Sequence, residues 1–126
     1  MSTMETPLHK VRGLGASHSG TGHFWRQRLT AIALVPLGLW FAFTVLGLAG
    51  TTEVAAVSYL AHPWNAILMA AFAVTLVYHM SLGLQTVIDD YVHTAAAKIA
   101  LMLLVRFVWI ATGVTCVFAL IRIASL

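Results

Sequence analysis

Three apolar stretches, each long enough to cross a lipid bilayer, constrain this chain more than anything else in it. They run from about residue 29 to 50, from 64 to 88 and from 99 to 125. At 1.5 Å per helical residue, about 20 residues cover the roughly 30 Å hydrocarbon core of a membrane. Backbone amides in hydrocarbon find no water, so such a segment satisfies them internally as a helix. Composition argues against a soluble domain: 60% of the 126 residues are hydrophobic and 9% are charged, more apolar side chain than a domain of this size can hide in its own interior. The expected fold class is an all-α membrane protein with three transmembrane helices.

The basic residues orient it. Lys10, Arg12, Arg26 and Arg28 precede the first span, the connection from about residue 51 to 63 has no Lys or Arg, and Lys98 follows the second span. The positive-inside rule then predicts a cytoplasmic N-terminus, a cytoplasmic second connection and a C-terminus on the far side, with Arg122 a single count against. Residues 1–27 are expected to form a polar cytoplasmic arm, and residues 28–126 a three-helix anchor domain. The arm is rich in Gly, Ser, Thr and His, a composition that buries no core of its own. It also lacks the apolar core of a cleaved signal, so the first span is expected to serve as its own insertion signal. His18 and His23 have no further ligands at regular spacing and are expected as solvated loop histidines. Trp25 with Arg26 and Arg28 suits the headgroup interface.

Pro36 marks a point where the first helix can bend. Pro63 fits the first turn of the second helix, where its missing amide hydrogen costs nothing. About ten polar or small residues link the second and third spans, which makes those helices antiparallel neighbours. Cys116, the single cysteine, lies inside the third run and is expected to pack as a small hydrophobe.

The chemistry concentrates at the end of the second span. At 100° per residue, His79, Gly83, Thr86 and Asp90 fall on one narrow face of a helix. The step from His79 to Asp90 is about 16 Å along the axis. The imidazole therefore sits within the hydrocarbon, and Asp90 with Tyr91 at its cytoplasmic edge. An ionisable residue in a span is read by default as functional; the plainer alternative is that His79 hydrogen-bonds a neighbouring helix as structural glue. Neutral imidazole is a good axial ligand for haem iron, and Gly83, one turn away, leaves room for a flat group. His62 and His93 lie near the two surfaces, so a second axial ligand would come from another chain. Anionic haem propionates need cations at a membrane surface, which Arg28 or Arg26 can provide. At the same edge Tyr91 can donate a hydrogen bond to a quinone oxygen, and Asp90 can relay protons.

These motifs resemble a known family. His79 followed eleven residues later by Asp90-Tyr91, together with the run His23-Phe24-Trp25-Arg26-Gln27-Arg28-Leu29-Thr30-Ala31-Ile32 before and into the first span, resembles the small, three-span membrane anchor subunit of succinate dehydrogenase (respiratory complex II), in its alphaproteobacterial form. The resemblance covers nearly the whole chain. It implies a multi-pass protein of the bacterial inner membrane with a periplasmic C-terminus. It implies that His79 is one axial ligand of haem b, the other coming from the larger cytochrome b anchor subunit, and that Arg28 lies near the propionates. Tyr91 and Asp90 would line the ubiquinone site beside the iron–sulfur subunit, with the flavoprotein subunit beyond. Flavin and clusters would belong to the soluble subunits, and no nucleic-acid partner is expected. The alternatives are a fumarate reductase-type anchor, a proton-conducting subunit using His79 and Asp90, and a haem-free scaffold. Asp89 and His93 receive no role, and Arg106 is expected to snorkel toward the cytoplasmic side.

Overall fold

The computed structural model describes residues 7–8 and 20–125. Over residues 20–125 four helices follow in order: α1 (Gly20–Leu48), α2 (Glu53–Ala61), α3 (Pro63–Tyr91) and α4 (Ala95–Ala124). Three of them, α1, α3 and α4, are long and apolar enough to cross a membrane. With 29, 29 and 30 residues each is about 43–45 Å long. Each is thus longer than the roughly 30 Å hydrocarbon core of a bilayer.

Local chemistry sets each boundary. After Leu48 the chain turns through Gly50 at φ +80°, a left-handed conformation that costs glycine nothing. The amide and the hydroxyl of Thr51 both donate to the Leu48 carbonyl, at 3.1 and 2.8 Å. Thr52 then caps α2, its Oγ1 accepting from the amide of Ala55 at 3.3 Å. His62, in extended conformation, ends α2 and opens α3, with Pro63 at the first position of α3. A residue before proline is pushed away from helical geometry, which is why two helices meet here without merging. Only Val92, His93 and Thr94 separate α3 from α4.

Two expectations change. The connection over residues 51–63 contains a nine-residue helix, α2, too short to span and bounded by a threonine cap and a pre-proline residue. The link between the second and third spans is three residues, because α3 and α4 both extend through the polar positions expected to lie in a loop. The arm expected over residues 1–27 lies mostly outside the described residues; its part from Gly20 onward is helical, continuous with the first span.

α3 is the central element. It packs along α1 on one side and α4 on the other, while α2 rests on α3 and α4. Phe41 of α1 stacks on Phe72 of α3, centroids 4.5 Å apart, and Tyr78 of α3 meets Trp109 of α4 at 5.4 Å. At the α2 end, Asn65 Nδ2 donates to the Tyr59 carbonyl at 2.9 Å, and the Tyr59 hydroxyl lies 3.4 Å from Thr44 Oγ1. Among the described residues the most buried positions are Ser81 and Leu82, both on α3. Most other large apolar side chains are exposed, which lipid or partner helices can cover and water cannot.

Candidate functional site

The antiparallel packing of α1 on α3 brings the start of one helix beside the end of the other. His79 on α3 is half-buried, with its Nδ1 2.8 Å from Thr30 Oγ1 on α1. The same hydroxyl oxygen lies 2.8 Å from the carbonyl oxygen of Arg26 and 3.0 Å from that of Gln27. Among the described residues, Nε2 of His79 has no hydrogen-bond partner. One turn along, a Cβ added at Gly83 would lie 3.9 Å from Gln27 Nε2, so glycine and glutamine face each other across the seam.

His23, Gln27 and Thr30 are spaced by four and three residues, one face of α1. Of the four residues expected to share a face of α3, His79 and Gly83 therefore meet α1. Thr86 donates back to the Leu82 carbonyl at 3.2 Å, and Asp90 is exposed. His23 Nε2 and Gln27 Oε1 are both buried without a hydrogen-bond partner. This corrects the reading of His23 as a solvated loop residue: it lies in the first turns of α1 with one ring nitrogen withdrawn from solvent. An unpartnered buried polar atom is costly, and both atoms stand at the end of the seam closest to Asp90 and Tyr91.

The two arginines part ways. Arg26 Nε donates to the Gly22 carbonyl at 3.0 Å. The Arg28 guanidinium lies over the Phe24 ring, 4.8 Å from its centroid, a cation–π contact that leaves its five donors available. Both residues are exposed.

The acidic pair is divided as well. Asp89 holds Lys98 Nζ at 2.7 Å, and the same ammonium reaches the Asp89 carbonyl at 3.3 Å. This gives Asp89 a structural role that the sequence reading lacked, tying the end of α3 to the first turn of α4. Asp90 has no side-chain partner among the described residues, and Tyr91, the last residue of α3, is 79% exposed. His93 is exposed in the connection, and Arg106 is exposed two turns beyond Lys98 on α4.

Among the described residues no three His, Cys, Asp or Glu side chains cluster as a metal site. Any iron held here takes at most one ligand from His79 and the rest from elsewhere. The residues present fit such a shared group: an imidazole with one nitrogen engaged and the other unpartnered, and exposed arginines at the same end of the bundle.

Fold and site together define a class: a three-span membrane subunit with one histidine inside its central helix and an acid–tyrosine edge. The family model described as succinate dehydrogenase/fumarate reductase transmembrane subunit matches residues 2–113, and the chain belongs to that family. It is 32% identical over 117 residues to the succinate dehydrogenase hydrophobic membrane anchor subunit of Paracoccus denitrificans, covering 93% of this chain and 90% of the relative. The subunit of the same name from Rickettsia bellii is 32% identical over 110 residues, 87% of this chain and 88% of the relative. The succinate dehydrogenase membrane anchor subunit of Reclinomonas americana is 31% identical over 107 residues, 82% of this chain and 86% of the relative. No solved structure matches at a significant level. The chain is thus a multi-pass membrane protein of the succinate dehydrogenase anchor type, as its motifs suggested.

Proposed function

We propose that the chain anchors a succinate dehydrogenase in a bacterial inner membrane, with its N-terminus and the α3–α4 connection in the cytoplasm and its C-terminus in the periplasm. Residues 1–27 form the cytoplasmic arm and residues 28–126 the anchor proper. Its partners are the larger cytochrome b anchor subunit, the iron–sulfur subunit and the flavoprotein subunit. The family description covers fumarate reductase as well, and the names of the relatives favour succinate oxidation; the acceptor we propose is ubiquinone.

The observation that carries the site assignment is the state of His79. Structural glue accounts for Nδ1, which meets Thr30, and leaves Nε2 without a function. As one axial ligand of haem b, with the other from the larger anchor subunit, the ring uses both nitrogens. Haem held there would supply one-electron redox chemistry. Arg28 offers its guanidinium to a propionate, and Gly83 leaves room for a flat edge one turn from His79.

At the cytoplasmic edge, Tyr91 donates its O–H to a carbonyl oxygen of ubiquinone, and Asp90 exchanges protons between that oxygen and water. Reduction of the quinone consumes two electrons and two protons. The electrons derive from succinate through the flavin and iron–sulfur centres of the soluble subunits, and Asp90 and Tyr91 serve the protons. The exposure of both side chains fits a site completed by another subunit.

The test is a dithionite-reduced minus oxidised visible spectrum of the complex purified through this chain, beside quinone-reductase turnover. H79A is expected to lose the b-type haem signal, whereas Y91F keeps it and loses turnover. Full haem in H79A together with full turnover in Y91F would overturn the assignment.

A further inference from the structure

The Thr30 hydroxyl has one hydrogen and three polar neighbours: the carbonyl oxygens of Arg26 and Gln27 at 2.8 and 3.0 Å, and His79 Nδ1 at 2.8 Å. Carbonyl oxygens only accept. If the hydrogen pointed at Nδ1, the hydroxyl oxygen would face two carbonyl oxygens at contact distance with no hydrogen between them, a repulsive arrangement. Turned toward the carbonyls of its own helix, the hydrogen is shared between them, the usual back-bonded state of a threonine in a helix. The lone pairs of Oγ1 then accept from the ring, so Nδ1 carries the imidazole proton. A neutral imidazole has one N–H, so Nε2 carries a lone pair.

We propose that Thr30 is a positioning residue that fixes His79 in the Nδ1–H tautomer and so presents Nε2 as a metal donor. The inference rests on the haem reading of His79 and adds to it a part for α1. Ligating histidines characteristically give their other N–H to an acceptor that fixes the tautomer and raises the basicity of the ligand. Thr30 suits that task because its carbonyl bonds hold the hydroxyl in place before any ligand arrives. The structure gives the bond an architectural basis too, since it joins the two helices that also face each other at Gln27 and Gly83.

The experiment compares the purified complex carrying wild-type chain, T30V, T30S and H79A by haem content, by redox titration of the haem and by electron paramagnetic resonance of its ferric form. Valine keeps the shape of threonine and removes the acceptor; serine keeps the acceptor and removes a methyl. A less basic ligand stabilises ferric iron less, so T30V is expected to raise the haem midpoint potential and displace the ferric g-values, and T30S to stay at the wild-type values. If T30V does not accumulate, T30A carries the same comparison. Loss of haem from T30V or T30A with the subunits still co-purifying, while T30S retains it, supports the proposal equally. A T30V complex with wild-type potential and g-values, beside an H79A complex without haem, would overturn the role of Thr30 and leave the haem reading intact. So would a T30S complex shifted as far as T30V. Full haem in H79A would instead sink the haem reading on which the proposal stands.

Discussion

Neutralising Asp89 and Asp90 one at a time should separate two carboxylates that are adjacent in sequence and both exposed, of which only Asp89 holds a partner among the described residues. Asp89 holds Lys98 Nζ at 2.7 Å, with the lysine 36% and the aspartate 53% exposed. An ion pair this open to solvent contributes about 0.2–1 kcal/mol. Part of the lysine's stabilisation survives D89N, because its ammonium also reaches the Asp89 carbonyl at the end of α3 at 3.3 Å, where a cation interacts favourably with the helix dipole. D89N is thus expected to weaken the α3–α4 corner by no more than about 1 kcal/mol, roughly fivefold in an equilibrium constant. Its effect should shrink as salt rises, since about 1 M salt shortens the Debye length to about 3 Å.

Asp90 holds no such partner among the described residues, so D90N should leave the corner intact. On the role proposed for Asp90, its cost falls on proton delivery. A positioned acid or base contributes about 10²–10⁴-fold, and the exposure of Asp90, which lets water substitute, points to the low end, about 10²-fold in quinone-reductase turnover. Thermal unfolding of the purified complex at low and high salt reads the first effect, and steady-state quinone reduction across pH reads the second. A D89N complex that assembles fully yet loses turnover as severely as D90N would refute this division of labour.

Two further substitutions follow from local geometry. Gly50 has φ +80° and nothing within 4 Å of an added Cβ, so G50A should lower stability by about 1–2 kcal/mol through the backbone alone. G38A, equally unhindered but inside α1, should be neutral or stabilising by up to about 1 kcal/mol; equal unfolding temperatures for the two variants would contradict this. R28Q should lower the ratio of haem to protein more than R26Q, because Arg26 is engaged with the Gly22 carbonyl and Arg28 with the Phe24 ring alone. The reverse order would move the propionate partner to Arg26.

The three spans were legible because apolar runs of this length have few other folds open to them, and Pro63 was legible because proline at a first turn has a fixed geometric meaning. α2 was not, since nine residues carry too little periodicity to stand out in a connection. Its signals were Thr52 as a cap and His62 before proline. The Asp89–Lys98 pair became possible once the connection shrank to three residues, which sequence could not fix to that precision. Thr30 was the largest omission. A threonine in an apolar span is unremarkable until the register of α1 against α3 sets it opposite a histidine 49 positions away, and register is a property of packing. The spacing of His23, Gln27 and Thr30 was available as a polar stripe, and it mirrors that of His79, Gly83 and Thr86.

That mirrored stripe explains why the candidate site sits where it does. Helices in lipid gain nothing from hiding apolar surface from one another, so close contact depends on small residues and on polar groups that find partners. The α1–α3 seam has both, in Gly83 opposite Gln27 and in His79 bonded to Thr30. The α3–α4 contact has an aromatic pair at Tyr78 and Trp109 and a surface ion pair at its corner. Polar satisfaction on the first seam is incomplete, with His23 Nε2 and Gln27 Oε1 buried and unpartnered, whereas on the second the buried Ser81 hydroxyl donates to the Tyr78 carbonyl of its own helix at 2.7 Å. A chain selected only to anchor would gain by replacing those polar atoms with apolar ones. Their presence beside the edge that carries Asp90 and Tyr91 is what a site completed by another subunit, a cofactor or water requires.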